Sequence, residues 1–355
     1  MKKTLIALAL AALPVASMAD VVLYGKIQGG VETSFAHKEN GKKVDGTTTQ
    51  IVDYGSRIGF KGHEQLNDNL KAIWQVEQNV TIGGNSSKAG KTGYGFATRD
   101  SFIGLEGAFG TVKAGYLSTP VKDVNGNLDQ WSYDSGVAGL GHFTRGNDAV
   151  RRATAVSYTT PDVGGFKATA YVSPSDNNHY KGPHGNYDNA LYGLGASYNN
   201  SGFFADVAGV YVKNGKNNLP PSKSTKAYQA LAQAGYANDQ FSVGAAYQRA
   251  QNVDEKYDVV NEAALSGSYN VDSALKLKAT AAYGWGINDT GNGNKKSWGN
   301  GKYYQGIVGA EYALSKRTVA NAQVGYLQKG KNKTKDSAPG SGADATVGVG
   351  LVHKF

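Results

Sequence analysis

Apolar and polar positions alternate one for one along most of this chain, in short stretches separated by Gly-, Asn- and Lys-rich breaks. In one such stretch Leu275, Leu277, Ala279, Ala281, Tyr283 and Trp285 stand against Lys276, Lys278, Thr280 and Ala282. Phe241, Val243, Ala245 and Tyr247 alternate with Ser242, Gly244, Ala246 and Gln248, and Ala320, Ala322, Val324 and Tyr326 with Asn321, Gln323 and Gly325. A period of two places each set on one face of an extended strand. Aromatic residues fall near the strand ends, where an interfacial girdle would lie. The pattern predicts sixteen strands, at 21–35, 50–63, 69–82, 97–106, 111–117, 150–160, 166–173, 188–199, 202–214, 225–237, 240–251, 257–270, 274–286, 303–314, 318–329 and 344–355.

The connections alternate in length. Short turns fall at 64–69, 107–110, 161–165, 200–201, 238–239, 271–273 and 315–317, and longer polar loops lie between them, as at 36–49, 83–96, 174–187, 287–302 and 330–343. Short turns at one rim and long loops at the other form the pattern of a membrane β-barrel. With an even strand count both ends of the sheet lie on the short-turn side, so the first strand can pair with the last. The last stretch, Ala345–Phe355, puts Ala345, Val347, Val349, Leu351, His353 and Phe355 on one face and smaller or polar residues on the other. Such a strand suits closure of a sheet in hydrocarbon, where an unpaired edge cannot persist. The fold expected is therefore all-β, a sixteen-stranded antiparallel transmembrane barrel. A solenoid or propeller would show a repeated unit, and none is visible.

The first residues fit export. Lys2 and Lys3 precede an apolar run from Leu5 to Ala16 and the small-residue segment Ser17–Ala19, which reads as a signal peptide over 1–19 with a single barrel domain over 20–355. The apolar run is shorter than the ~18–20 residues a membrane helix needs. The chain has no cysteine, so no disulfide framework holds it. Its mean hydropathy of −0.42 suits a barrel as well as a soluble protein, because lipid-facing and water-facing residues average out. The formal charge of +9 is a modest excess compatible with anionic solutes or anionic lipid.

One connection departs from the rest. Residues 118–149, between strands five and six, form by far the longest loop. A sixteen-stranded barrel has a lumen that wall side chains alone do not fill, so this loop is expected to fold inward and constrict it. Arg57, Arg99 and the pair Arg151-Arg152 begin strands, while the loop supplies Asp123, Asp129 and Asp134. Arginines on one wall facing carboxylates on the other would set a transverse field across the aperture. The alternative is that each is a solvated rim charge or a lipid-headgroup contact.

Ser56–Glu77 (SRIGFKGHEQLNDNLKAIWQVE), Arg99–Gly107 (RDSFIGLEG), Phe109–Gly115 (FGTVKAG), Ser315–Thr318 (SKRT) and the terminal Phe355 resemble the Gram-negative general porins, most of all the neisserial branch of the β-proteobacterial porins. The likeness spans the mature chain, with the long loops divergent. It implies a homotrimer in outer-membrane lipid that passes small hydrophilic solutes and ions, and a terminal aromatic read by the assembly machinery. It implies too that Arg57, Arg99 and Arg151, or Arg152 beside it, form the family's basic wall opposite an acidic loop. The loop lacks the PEFGG motif of the enterobacterial members, and Asn79 stands where neisserial relatives carry a lysine, so weak rather than strong anion preference is expected.

Signals for other classes are poor. Gly340-Ser341-Gly342 is too short for a nucleophile elbow, and GNGNKKS at 291–297 lacks phosphate-loop spacing. His179 and His184 have no further ligands in register for a metal. No basic-aromatic stripe points to nucleic acid. The expectations are no catalysis, no cofactor and no nucleic-acid partner. The competing reading is a barrel whose surface loops act chiefly in adhesion or host interaction; the long inward loop favours a diffusion channel, since an adhesin needs no constriction.

Overall fold

The computed structural model describes residues 21–35, 38–39, 42–43, 46–82, 96–125, 128–131, 137–140, 143, 151–174, 181–182, 185–186, 190–213, 227–254, 257–289, 296–297, 301–330 and 342–355. The expected leader over 1–19 lies outside them. Most of the described residues belong to one antiparallel sheet. Its strands are β1 (Val22–Ser34), β2 in two pieces (Thr48–Asp53 and Arg57–Asn67), β3 (Leu70–Asn79), β4 (Ser101–Gly107), β5 (Gly110–Ser118), β6 (Arg152–Thr159), β7 (Phe166–Ser173) and β8 (Leu191–Asn200). They continue as β9 (Phe203–Val212), β10 (Ala227–Ala237), β11 (Phe241–Asp254), β12 (Tyr257–Asn270), β13 (Leu275–Trp285), β14 (Lys302–Ala313), β15 (Thr318–Lys329) and β16 (Gly342–Lys354).

Each strand pairs with its neighbour in sequence, and β16 pairs with β1 from Lys26 opposite Lys354 to Ser34 opposite Thr346. Gly25 and Phe355 exchange both backbone hydrogen bonds at the closing seam, at 3.0 and 3.1 Å. The expected sixteen-stranded barrel is closed, and no edge is left to satisfy. No helix among the described residues is long and apolar enough to cross a membrane, which leaves that task to the strands.

The short turns form because side chains replace missing backbone partners. Asn238 Oδ1 accepts the N–H groups of Gln240 and Phe241 (2.9 and 2.8 Å), and Asp272 Oδ1 those of Ala274 and Leu275 (2.7 and 2.8 Å). Ser315 Oγ does the same for Arg317 and Thr318 (3.2 and 3.1 Å). These are the local bonds that favour Asn, Asp and Ser in turns. The first turn is tighter than expected: β2 runs on to Asn67, with a bulge between Gln65 and Asn67.

Alternation sorts the two faces as read from sequence. Leu194, Val207, Val243, Leu265, Val308 and Val324 are exposed outside, while Gln233, Gln248, Lys278, Thr280 and Gln323 are buried inside. Rings flank the outer apolar band at both heights, Phe203, Phe241 and Tyr269 near the short turns and Tyr192, Tyr247 and Tyr304 toward the long loops.

The break in β2 has a specific cause. Between the pairs Gly29–Asp53 and Lys26–Arg57, three residues of β2 oppose two of β1, a bulge. Gly55 takes φ +94°, a conformation a side chain would resist. Asp53 Oδ1 binds the N–H groups of Gly55 and Ser56 (2.7 and 2.9 Å), and Ser56 Oγ accepts from Gln28 N–H at 2.9 Å. The kink lies immediately before Arg57 and sets the direction in which that side chain enters the lumen.

Candidate pore constriction

The loop after β5 folds into the barrel. Its helix α1 (Pro120–Asn125) lies against β7, β8, β9 and β10. Thr119 N–H donates to Arg151 O at 3.0 Å and closes the neck of the loop. From there the loop runs along the inside of the later strands. Leu128, Trp131, Leu140 and Phe143 are buried against the wall with Leu231, Val260, Tyr303 and Ile307.

Polar latches accompany this packing. Gln233 Nε2 donates to Val124 O at 2.6 Å, and Gln248 Nε2 donates to Phe143 O. Gln305 Nε2 donates to Val137 O and Gly139 O at 3.0 and 2.8 Å, and Gln323 Nε2 to Ala138 O at 2.6 Å. Four wall glutamines on β10, β11, β14 and β15 thus hold main-chain carbonyls of the loop. One charged clasp joins them: Lys278 Nζ donates to Gln130 O (2.8 Å) and Glu311 Oε1 (2.6 Å) and lies 4.7 Å from the centre of the Trp131 ring. Trp131 Nε1 donates in turn to Thr280 Oγ1 at 2.9 Å. Gly325 lets the loop approach, since a Cβ there would stand 2.5 Å from Ala138 Cα.

The described part of the loop therefore lies against β7 to β15, and β16 with β1 to β6 forms the opposite wall, which none of the described loop residues covers. Register places Lys354, Lys26, Arg57 and Asn79 in one row across β16, β1, β2 and β3. Arg99, just before β4, extends it: Arg99 Nη1 donates to Asn79 Oδ1 at 3.1 Å. Glu77 sits among these groups. It pairs with Arg99 through Nε, with Arg57 at 3.7 Å, and accepts from Tyr24 OH at 3.1 Å.

Arg152 lies further round, with Nε on Asp100 Oδ1 at 3.0 Å, and Ser118 Oγ donates to the same carboxylate at 2.9 Å. Arg57 lies in the field of both Arg99 and Arg152. Arg151 is half-buried at the loop's neck, its Nε without a hydrogen-bond partner among the described residues.

The loop acids divide. Asp123, on α1, opens to the lumen near Asp100, Lys122, Lys113 and Arg152; the surrounding protein, and then Asp100, push its carboxyl up to about 6. Lys122 is moved the other way, below the usual lysine range, by burial and by Arg152 and Arg151. Asp129 accepts Trp131 N–H at 3.0 Å and lies beside Lys278, on the loop-covered wall and not opposite the arginines. Asp134 lies outside the described residues.

Glu77, Asp100, Lys26 and Lys354 were not among the residues singled out from sequence. Glu77 carried a signal, because it shares strand parity with Gln75 and Asn79. Gln248 and Gln323 stood on the polar face of their strands, but nothing local marked them as partners of a loop.

Comparison with known proteins agrees with this architecture. The Gram-negative porin family matches residues 4–333. The major outer membrane protein P.IB of Neisseria sicca is 40% identical, and that of Neisseria meningitidis serogroup B 38%, each over the whole of both chains. An anion-selective porin from Comamonas acidovorans superposes with a TM-score of 0.73 at 21% identity, over 95% of this chain and 100% of that one. Salmonella typhi OmpF, in complex with daunomycin, superposes with a TM-score of 0.65 at 18% identity, over 95% and 98%. A closed sixteen-stranded barrel, a loop latched inside it and a full-length family match lead to one conclusion: the chain belongs to the Gram-negative porin family and is a diffusion channel of the outer membrane.

Proposed function

We propose that this channel passes small hydrophilic solutes and ions with a weak preference for anions, and that it works as a homotrimer. The constriction assigned to it is Arg57, Arg99 and Arg152 on the wall opposite the loop, with Asp123 of the loop facing them and Arg151 at the loop's neck. The observation that carries the anion preference is the row Lys354, Lys26, Arg57 and Arg99, in which Glu77 is the carboxylate in contact with the arginines. In a confined, partly dehydrated aperture such charges act more strongly than in bulk water. Asp100 and Asp123 lie by Arg152 and offset part of the field, which keeps the preference weak. Asn79 works in the same direction, as a neutral member of the basic row. The anion-selective porin from Comamonas acidovorans and the trimeric form of OmpT from Vibrio cholerae share the fold, and their properties supply the precedent for selectivity and assembly.

The test is a reversal potential across a salt gradient in planar bilayers. The wild type should favour anions slightly, and Arg99→Glu should move the reversal potential toward cations. An unchanged value in Arg99→Glu would place Arg99 outside the permeation path. Conductance steps arriving in threes support the trimer, and single steps from purified protein would overturn it.

A further inference from the structure

Arg57 and Arg99 share one carboxylate but are held very differently. Arg99 is fixed at three points: its backbone N–H donates to Glu77 O at 3.0 Å, Nε donates to Glu77 Oε1, and Nη1 donates to Asn79 Oδ1 at 3.1 Å. The guanidinium of Arg57 makes no hydrogen bond to the described residues, and its ion pair, from Nε to Glu77 Oε2, spans 3.7 Å. The Arg57 side chain is 34% exposed against 17% for Arg99. Arg57 is thus the arginine whose donors stay open to the lumen.

Tyr24 accounts for the gap between Arg57 and Glu77. On β1 it shares the parity of Lys26, and its hydroxyl donates to Glu77 Oε2 at 3.1 Å, the same oxygen that faces Arg57. Register puts Tyr24 opposite Gly59 of β2. With no side chain at Gly59 the ring can lie over the strand; a Cβ there would stand 2.6 Å from the hydroxyl oxygen and 2.7 Å from Cε1. Lys61 Nζ lies 5.3 Å from the ring centre.

Glu77 Oε2 therefore has a neutral donor in hydrogen-bond contact and a charged one just beyond it. The Glu77 side chain is only 8% exposed, so water replaces a lost donor poorly and an orphaned oxygen is costly. A guanidinium makes the stronger bond to a carboxylate, so without the hydroxyl Oε2 would close on Arg57. We propose that Tyr24 is a positioning residue for ion selectivity: by tethering Glu77 Oε2 it keeps Arg57 unpaired, and Arg57, more than Arg99, meets the passing anion. This role rests on the place of Arg57 in the constriction and adds to it a division of work within the basic row.

Reversal potentials of the full chain in planar bilayers test this, in a salt gradient at low ionic strength where screening is weakest. Tyr24→Phe keeps the ring and removes no charge, so any shift must come from charges that have moved. Its anion-to-cation permeability ratio should fall roughly twofold, the equivalent of one weak hydrogen bond to the solute. Gly59→Ala displaces the same hydroxyl with Tyr24 intact and should shift the ratio in the same direction. Glu77→Gln should raise the ratio, and Tyr24→Phe added to it should then change nothing, because Tyr24 acts only through that carboxylate. A packing role for Tyr24 would lower the ratio in both backgrounds and would overturn the proposal, as would wild-type selectivity in Tyr24→Phe. Arg57→Gln separates the two levels. A lowered ratio there with no change in Tyr24→Phe sinks the positioning role alone, whereas an unchanged ratio in Arg57→Gln also takes Arg57 out of the permeation path.

Discussion

Replacing Gln305 and Gln323 together by leucine probes how the inward loop is held. The two side chains donate three hydrogen bonds to the carbonyls of Val137, Ala138 and Gly139, at 2.6–3.0 Å. A buried hydrogen bond contributes about 0.5–1.5 kcal/mol net, and an orphaned carbonyl costs more unless water reaches it. In a wet lumen part of the loss is recovered, so about 2–4 kcal/mol of latch energy disappears. That raises the population of a displaced loop about thirtyfold to several hundredfold. The apolar knobs Trp131, Leu140 and Phe143 still hold, so the loop does not leave the wall entirely. A released segment can move only away from β14 and β15, into the opening toward the basic wall. Single-channel recording should therefore show brief partial closures that wild type lacks, with the fully open level unchanged. Because the latches are neutral amide–carbonyl bonds, closure frequency should vary little with salt. A correctly folded double variant that stays as quiet as wild type would refute the latch and leave packing alone as the holding force.

Three further outcomes follow from the same geometry. Gly325→Ala should produce similar closures, because its Cβ would meet Ala138 at 2.5 Å and overpacking costs about 1–3 kcal/mol; wild-type traces in that variant would mean the contact is loose. Lys278→Met should lower the thermal midpoint measured by heat-dependent gel migration, because it removes both the donor to Gln130 O and the 2.6 Å ion pair with Glu311, and adding Glu311→Gln should restore part of the loss. Asp123 holds its proton up to about 6, so lowering pH from 7.5 to 5 removes a lumenal negative charge and should raise anion preference; reversal potentials that change equally in Asp123→Asn would assign the step to another group. The sign for stability is the same: a carboxyl with a raised native pKa favours the folded state as pH falls through that value.

Legibility in the sequence followed the range of the interactions. The strands, their two faces and the short turns depend on residues close in sequence, and the inward loop was legible from its length alone. A period of two marks a strand wherever one side meets lipid and the other water, and Asn, Asp or Ser marks a turn by bonding its own neighbours. Arg57, Arg99 and the pair Arg151-Arg152 could be chosen because they stand at the starts of strands. Their partners could not. Glu77 meets Tyr24 across 53 positions, and Gln323 meets Ala138 across 185. Those meetings depend on barrel closure and on the path the loop takes, which place residues from distant strands at one height. Asp123 and Asp129 look alike in sequence, six positions apart, yet α1 directs one to the lumen while the turn at Trp131 directs the other to Lys278. By itself the sequence determined that this chain makes a barrel with an obstructed lumen, because alternation is a local consequence of two solvents. Only the tertiary structure decided which charges face the aperture and which merely hold the loop, because that choice is made by register around a closed sheet.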